Sequence, residues 1–225
     1  MALRESRGDM YPCVTHTWNT IKGRCEYECK YCFMRRYKLG IIRLDKKELK
    51  ADLGESNIIF VGSSCDMWSD RIPTPWIEKT LKKCSEYPDN KYLFQSKNPG
   101  RFEPFIRAGL IPKQATLCTT IESNVDHEIG YAPTIDSRKH GIIMARQLGF
   151  KTTITIEPIM EFSDTGEFLE LIDDCGPEWV TVGADSQRSQ LPEPCPDDLK
   201  TFVTELKKRH AVVLKKNLDR LFREQ

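Results

Sequence analysis

Residues Thr152 to Glu157 read Thr-Thr-Ile-Thr-Ile-Glu, and Asp164 to Pro177 read Asp-Thr-Gly-Glu-Phe-Leu-Glu-Leu-Ile-Asp-Asp-Cys-Gly-Pro. The first run is short and β-branched, the pattern of a buried strand. The second opens on Asp164 or Thr165, either able to cap the helix with a side-chain oxygen. It carries an apolar face through Glu167 to Asp174 and stops at Gly176-Pro177, which cannot continue a helix. One strand followed by one helix is the repeating unit of a parallel sheet.

The same alternation recurs in both directions. Strands are predicted at Cys13 to Trp18, Asn57 to Gly62, Lys91 to Gln95, Ala115 to Ile121, Trp179 to Val182 and Ala211 to Leu214. Between them Pro75 opens a helix with Trp76, Ile77, Leu81 and Cys84 at helical spacing. Ser137 to Leu148 is apolar at Ile142, Ile143, Ala145 and Leu148 and stops at Gly149, while Asp197 caps Leu199 to Arg209. Such alternation implies right-handed crossovers. The 225 residues fall short of the roughly 250 of an eight-fold barrel. The predicted fold is α/β: a partial, open (β/α)6 TIM-like barrel of parallel strands, forming a single domain over residues 1–225.

With 39% hydrophobic and 30% charged residues, the chain can bury a core, which excludes wholesale disorder and a coiled-coil rod. Lys+Arg 34 against Asp+Glu 33 leaves a net +1, so an anionic partner must be met by a local patch. Met1 to Met10 reads Met-Ala-Leu-Arg-Glu-Ser-Arg-Gly-Asp-Met, without the apolar core of a secretory signal or a membrane span; a cytoplasmic protein is expected. Nine cysteines, an odd number thinly spread, argue against a disulfide framework.

In barrels of this kind the chemistry lies beyond the carboxyl ends of the strands. Directly after the first strand stands Cys25-Glu26-Tyr27-Glu28-Cys29-Lys30-Tyr31-Cys32. Three thiolates on one loop can hold one metal centre. Iron–sulfur clusters usually take four, so three leave one iron open to a substrate or cofactor. Two other readings exist: a zinc site completed by Cys13 or His16, and a redox dithiol of Cys29 and Cys32 that gives Cys25 no role.

The CxxxCxxC spacing, with aromatic Tyr31 before the last cysteine, resembles the radical S-adenosylmethionine superfamily, whose core is a partial barrel. The phrases His16-Thr17-Trp18-Asn19, Phe60-Val61-Gly62, Ser96-Lys97-Asn98-Pro99, Glu157-Pro158 and Leu214-Lys215-Lys216-Asn217-Leu218 resemble a short, phage-associated branch of it. In cysteine spacing the chain is more distantly similar to spore photoproduct lyase. The resemblance implies a 4Fe-4S cluster on Cys25, Cys29 and Cys32. On the same resemblance, S-adenosyl-L-methionine would chelate the open iron and be cleaved to a 5′-deoxyadenosyl radical able to abstract a substrate hydrogen.

It further implies that Gly62-Ser63-Ser64-Cys65-Asp66 occupies the place that binds the methionyl amino group, with Ser63, Ser64 and Asp66 as candidates; the superfamily's usual Gly-Gly-Glu is missing there. Thr119, Thr120 and Glu122 fall where ribose hydroxyls and the methionyl carboxylate are met, and Tyr31 or Phe33 would pack on adenine. Where these residues only cap loops or face solvent, they have no such role.

Glu157 and Asp185 close the fifth and sixth strands, with Lys97 and Lys215 at matching heights. All four are expected in the cavity as catalytic candidates, with ion pairs among themselves as the plainer reading. Lys30, Arg35, Arg36, Lys38, Arg43, Lys46, Lys47 and Lys50 crowd the segment after the cysteines. They would draw a nucleotide or DNA substrate, dock a flavodoxin- or ferredoxin-type reductant, or simply form a solvated helix face. Trp18, Tyr37, Trp68 and Trp76 could stack bases. The remaining cysteines form no second cluster motif, and Cys65, on the active-site loop, reads more as packing than as a hydrogen donor.

The expected activity is therefore a radical enzyme acting on a nucleotide or DNA component, with a small metabolite or peptide as rival substrate. Outside the enzyme class stands a metal-bearing nucleic-acid-binding module.

Overall fold

Ile154 and Ile156 are inaccessible, and Thr152, Thr153 and Thr155 between and beside them are buried as well, so the strand that decides the reading is covered on both faces. Its neighbours repeat the pattern. The computed structural model describes residues 3–6, 8 and 10–223; Met1, Ala2, Arg7 and Asp9, on which the reading of the amino terminus partly rests, lie outside the described residues, as do Glu224 and Gln225.

The strands are β1 (Arg4–Glu5), β2 (His16–Trp18), β3 (Ile21–Lys22), β4 (Arg43–Leu44), β5 (Ile58–Val61), β6 (Lys91–Ser96), β7 (Thr116–Thr120), β8 (Lys151–Ile156), β9 (Val180–Val182) and β10 (Val212–Leu214). The helices are α1 (Thr74–Ser85), α2 (Phe102–Arg107), α3 (Ile135–Gln147), α4 (Thr165–Cys175) and α5 (Pro196–Arg209). The main sheet runs β1-β2-β5-β6-β7-β8-β9-β10. From β2 onward every neighbouring pair is parallel, and β1 joins the edge antiparallel to β2. Seven parallel strands in chain order, with open edges, make the partial barrel, and no described helix is long and apolar enough to cross a membrane.

Local chemistry sets the helix ends. Asp164 accepts from the Glu167 amide at 3.0 Å, and Gly176 closes α4 in the left-handed region at φ 56°. Helix α3 starts two residues earlier than Ser137, because Thr134 caps it by accepting the Ser137 amide at 3.2 Å. At α5 the Cys195 sulfur takes the Asp198 amide at 3.4 Å and Pro196 fills the first turn, which leaves Asp197 inside the helix rather than capping it. Where α3 crosses the turn after β6, a Cβ on Gly141 would meet the Gly100 nitrogen at 2.3 Å; only glycine allows that approach.

The core corrects one expectation. Trp18 and Trp68 are buried; Trp68 packs edge-on against Phe94, Phe102 and Phe105, and Trp18 donates to the Glu48 carbonyl at 3.1 Å. Neither can stack a base, and Trp76 is half-buried against the same core. Tyr37 is exposed.

The first crossover also differs from a six-fold repeat. Between β2 and β5 there is no α-helix. The chain makes the cysteine loop, a 3-10 turn at Phe33–Arg36, the antiparallel β3/β4 ribbon and a second 3-10 turn at Glu48–Lys50. The cations of this segment therefore do not share a helix face.

Candidate active site

A cavity of about 590 Å³ opens beyond the carboxyl ends of the parallel strands. The cysteine loop walls one side with Cys25, Cys29 and Cys32. Ser63, Ser64, Cys65 and Asp66 follow from the end of β5, Lys97 from β6 and Thr120 from β7; Glu157, Asp185 and Lys215 come from the ends of β8, β9 and β10.

The cysteine loop is tied down through its backbone. The Cys32 amide donates to Cys29 at 3.0 Å, the Lys30 amide to Ile129 at 2.7 Å, and the Tyr131 amide to Tyr27 at 2.8 Å. Between the last two contacts lies Gly130, at φ +142°, where a Cβ would stand 2.3 Å from the Tyr27 oxygen. The loop thus rests on a strip of chain that only glycine lets come so near.

All nine cysteines are free thiols. Burial pushes Cys29 up to about 11 and also raises Cys32. A hydrogen bond from the Cys65 thiol lowers Cys25, and the same bond raises Cys65, so the buried Cys65 packs directly on the cysteine loop. Among the described residues no three His, Cys, Asp or Glu side chains converge as ligands of a single metal ion, and Cys13 and His16 lie outside this cavity. The donor set fits an iron–sulfur cluster: three soft thiols from one loop face a shared cavity with no imidazole among its lining residues, and the carboxylate beside them, Asp66, is already engaged by the Trp68, Ser96 and Lys97 donors.

Asn19 organises the segment after β5 that adjoins the thiols. It donates to the Ser63 hydroxyl at 3.2 Å and accepts the Ser64 amide at 2.9 Å. Asp66 accepts from the Trp68 amide at 2.9 Å, the Ser96 hydroxyl at 2.9 Å and the Lys97 amide at 2.7 Å, while burial pushes its carboxyl up to about 6. Its donors make it the organiser of the loop between β5 and α1.

Two candidates lie behind the wall. The Thr119 hydroxyl donates to the Ser96 carbonyl at 2.8 Å and is buried. Glu122 accepts from Tyr31 and Lys97 on one oxygen and from Arg138 on the other, at 2.6 Å. Burial alone would raise its carboxyl; Lys97 and Arg138 overcome that and hold it at about 2. Tyr31 therefore turns its phenol away from the cavity, into this buried cluster, with the Lys97 ammonium 5.0 Å from its ring centre. Thr120 stays on the cavity wall, taking a hydrogen bond from Gln95 at 3.0 Å, and Phe33 stands at the rim, partly exposed.

The four charged candidates divide. Lys215 pairs with Glu157 at 2.7 Å, whereas Lys97 pairs with Glu122 instead of a cavity carboxylate. Asp185 accepts the Gln187 amide at 2.8 Å and the Ser189 amide at 2.5 Å, folding the loop after β9 over the cavity.

Several residues that shape the site escaped the sequence reading. The buried Tyr11 phenol donates to Gln95 at 2.8 Å, lies 2.7 Å from the Thr155 hydroxyl, and has the Lys215 ammonium 5.1 Å from its ring. Gln95 and Thr155 carried a faint signal as polar residues inside apolar strands; Tyr11 and the buried Arg138 carried none.

No protein-family model matches this sequence, and no curated protein matches it. Solved structures do. A spore photoproduct lyase variant with bound S-adenosylmethionine and dinucleoside spore photoproduct superposes over 84% of this chain with a TM-score of 0.62 at 14% identity. SuiB of Streptococcus suis, solved with its precursor peptide SuiA, superposes over 88% with a TM-score of 0.62 at 12% identity. SuiB bound to S-adenosylmethionine gives 88%, 0.59 and 11%. This chain spans 63% of that lyase and 48% of SuiB in the peptide complex. What they share with it is the fold, a partial barrel of parallel strands.

Proposed function

We propose that this protein is a radical S-adenosylmethionine enzyme, that Cys25, Cys29 and Cys32 hold a 4Fe-4S cluster, and that the substrate is a nucleotide or DNA component. One observation carries the reading: three thiols and no other metal-binding side chain on the cysteine loop face a cavity whose far side holds Glu157, Asp185 and Lys215. When bound, the cluster and S-adenosylmethionine supply the electron and the radical that begin hydrogen abstraction.

The chain's own tasks are to hold, orient and exclude water. The Ser63 and Ser64 hydroxyls, prearranged by Asn19, offer oxygens to an ammonium group. Thr120 presents a hydroxyl to ribose, beside a Lys97 held in place by Glu122. Phe33 at the rim offers a face for adenine. The Glu157–Lys215 pair and Asp185 then hold a polar substrate against the far wall, where Tyr11 closes the floor. A reductant of flavodoxin or ferredoxin type, a cytoplasmic setting and a single domain over residues 1–225 belong to the same proposal. A peptide substrate is the second reading, supported by the fold shared with SuiB, whose solved complex holds a precursor peptide.

Anaerobic reconstitution tests this. About four irons and sulfides per chain, and 5′-deoxyadenosine after dithionite, are expected; stoichiometric zinc with no such product overturns it. Deuterium carried into 5′-deoxyadenosine from labelled nucleotides rather than labelled peptides decides the substrate.

A further inference from the structure

The rim of the cavity beside the cysteine loop carries a surface that runs outward from Phe33, and beyond Phe33 the chemistry above does not use it. Five large apolar side chains are exposed among the described residues, and three of them, Phe33 (38%), Tyr37 (54%) and Ile41 (85%), lie within nine residues of the cysteines. The Arg36 guanidinium carbon lies over both rings, 5.8 Å from the centre of Phe33 and 5.4 Å from that of Tyr37. Lys30, Arg35, Lys38 and Arg43 are exposed around them. The acids of the surrounding segment are held by other cations: Glu26 by Arg71, Glu28 by Arg24, and Asp45 and Glu48 by Lys22. No ion pair neutralises these five cations among the described residues.

Exposed flat rings, a guanidinium against them and unneutralised cations are what a single-stranded nucleic acid needs. Each base brings a π-face to stack and each phosphate a charge to neutralise. Phe33 and Arg36 also line the cavity, so a strand lying on this surface could lead one nucleotide inside. A reductant would need the cations and a short approach, but not exposed rings continuous with the cavity. We infer that Arg36 and Tyr37, with the cations around them, bind a single-stranded nucleic acid and lead one nucleotide past Phe33 into the cavity. The inference rests on the proposed nucleotide substrate and extends it from a free nucleotide to a strand.

Fluorescence anisotropy of the reconstituted holoprotein with a labelled 15-nucleotide DNA strand of mixed sequence is the test. The matched duplex, an abasic strand of equal charge and heparin are competitors. Single-strand binding is expected to fall as salt rises, with a log–log slope of roughly −0.7 per phosphate contacted. Tyr37→Ala should weaken it roughly 5- to 150-fold, the range for losing one stacked base, while Tyr37→Trp preserves it. Heparin affinity should not change in either variant.

Equal affinity for strand, abasic strand and heparin would reduce the surface to a general polyanion patch and overturn the inference, as would failure of the strand to bind. A Tyr37→Ala variant that loses its reduction rate by a flavodoxin while still binding the strand would show a donor-docking face instead. Because 5′-deoxyadenosine formation without strand is measured separately, loss of this surface and loss of the proposed activity cannot be confused.

Discussion

Glu122 and Glu157 follow adjacent strands, β7 and β8, and in sequence they carry the same signature: a carboxylate just beyond an apolar run. The structure uses them in opposite ways. Glu122 is buried, both oxygens engaged by Tyr31, Lys97 and Arg138, and it stands behind the cavity wall. Glu157 keeps a side chain 19% exposed, pairs with Lys215 and lines the cavity. What separates them is the supply of cations from outside the strand ends. A helix brings Arg138 under β7 and the cysteine loop brings Tyr31 over it, which converts the first carboxylate into a brace for that loop.

Removing charge should expose the difference. Glu122→Gln strands Lys97 and Arg138 in the interior, and breaking such a buried pair costs about 3–5 kcal/mol. Urea unfolding should show that loss, and iron retention after reconstitution should fall with it, because Tyr31 sits between two of the cysteines. An unchanged midpoint would remove the brace from the account.

Acid should act through the same residue. With the Glu122 carboxyl held at about 2 against an ordinary 4.5, its stabilisation is complete above pH 4.5 and is lost as pH falls toward 2. The amount is on the order of 3 kcal/mol for a shift of this size. Asp66, raised to about 6, works in the opposite sense: its contribution is complete below its ordinary 3.8 and fades as pH rises through 6, so the two windows share only the narrow range between 3.8 and 4.5. Denaturant titrations of wild type and Glu122→Gln from pH 5 to 2 should converge; parallel curves would refute the assignment.

Glu157→Gln belongs to the other half of the comparison. Its stability cost should be about 1–3 kcal/mol, since the pair faces the cavity and the glutamine amide can still accept from Lys215. Substrate turnover should drop about 100-fold, the scale of a misplaced reacting group, while 5′-deoxyadenosine formation without substrate persists. Loss of both together would move Glu157 from the substrate side to the cofactor side.

Most of the frame was legible. The seven parallel strands stood out because each is a short apolar run bounded by turn residues, and α1, α3, α4 and α5 because they are long enough to show a helical period. Helix α2, at six residues, is too short to show one, and the two-residue strands β1, β3 and β4 have no pattern at all. The cysteine loop was legible because spacing itself is the signal. The brace was not: the burial of Arg138 depends on Glu122 lying sixteen residues before it in sequence and beside it in space, and a charged residue on a helix otherwise reads as solvent-facing. Aromatic residues misled for the converse reason, since nothing local distinguishes the buried Trp68 from the exposed Tyr37.

The smallest effect discriminates most finely. Tyr31→Phe keeps the ring on the cavity wall and removes only the phenol that reaches Glu122, leaving the two cation pairs intact. A lost buried hydrogen bond of this kind costs about 1–3 kcal/mol, because its acceptor is charged. If the phenol braces the loop, the variant should still bind S-adenosylmethionine and still gain iron, yet release it faster to a chelator than wild type. Were Tyr31 chiefly an adenine platform, the same substitution would leave iron release unchanged, since the face offered to adenine is the same in both rings. Timed iron loss to a chromogenic chelator, with and without S-adenosylmethionine, therefore tells whether the residue before the last cysteine serves the cavity or the carboxylate behind it.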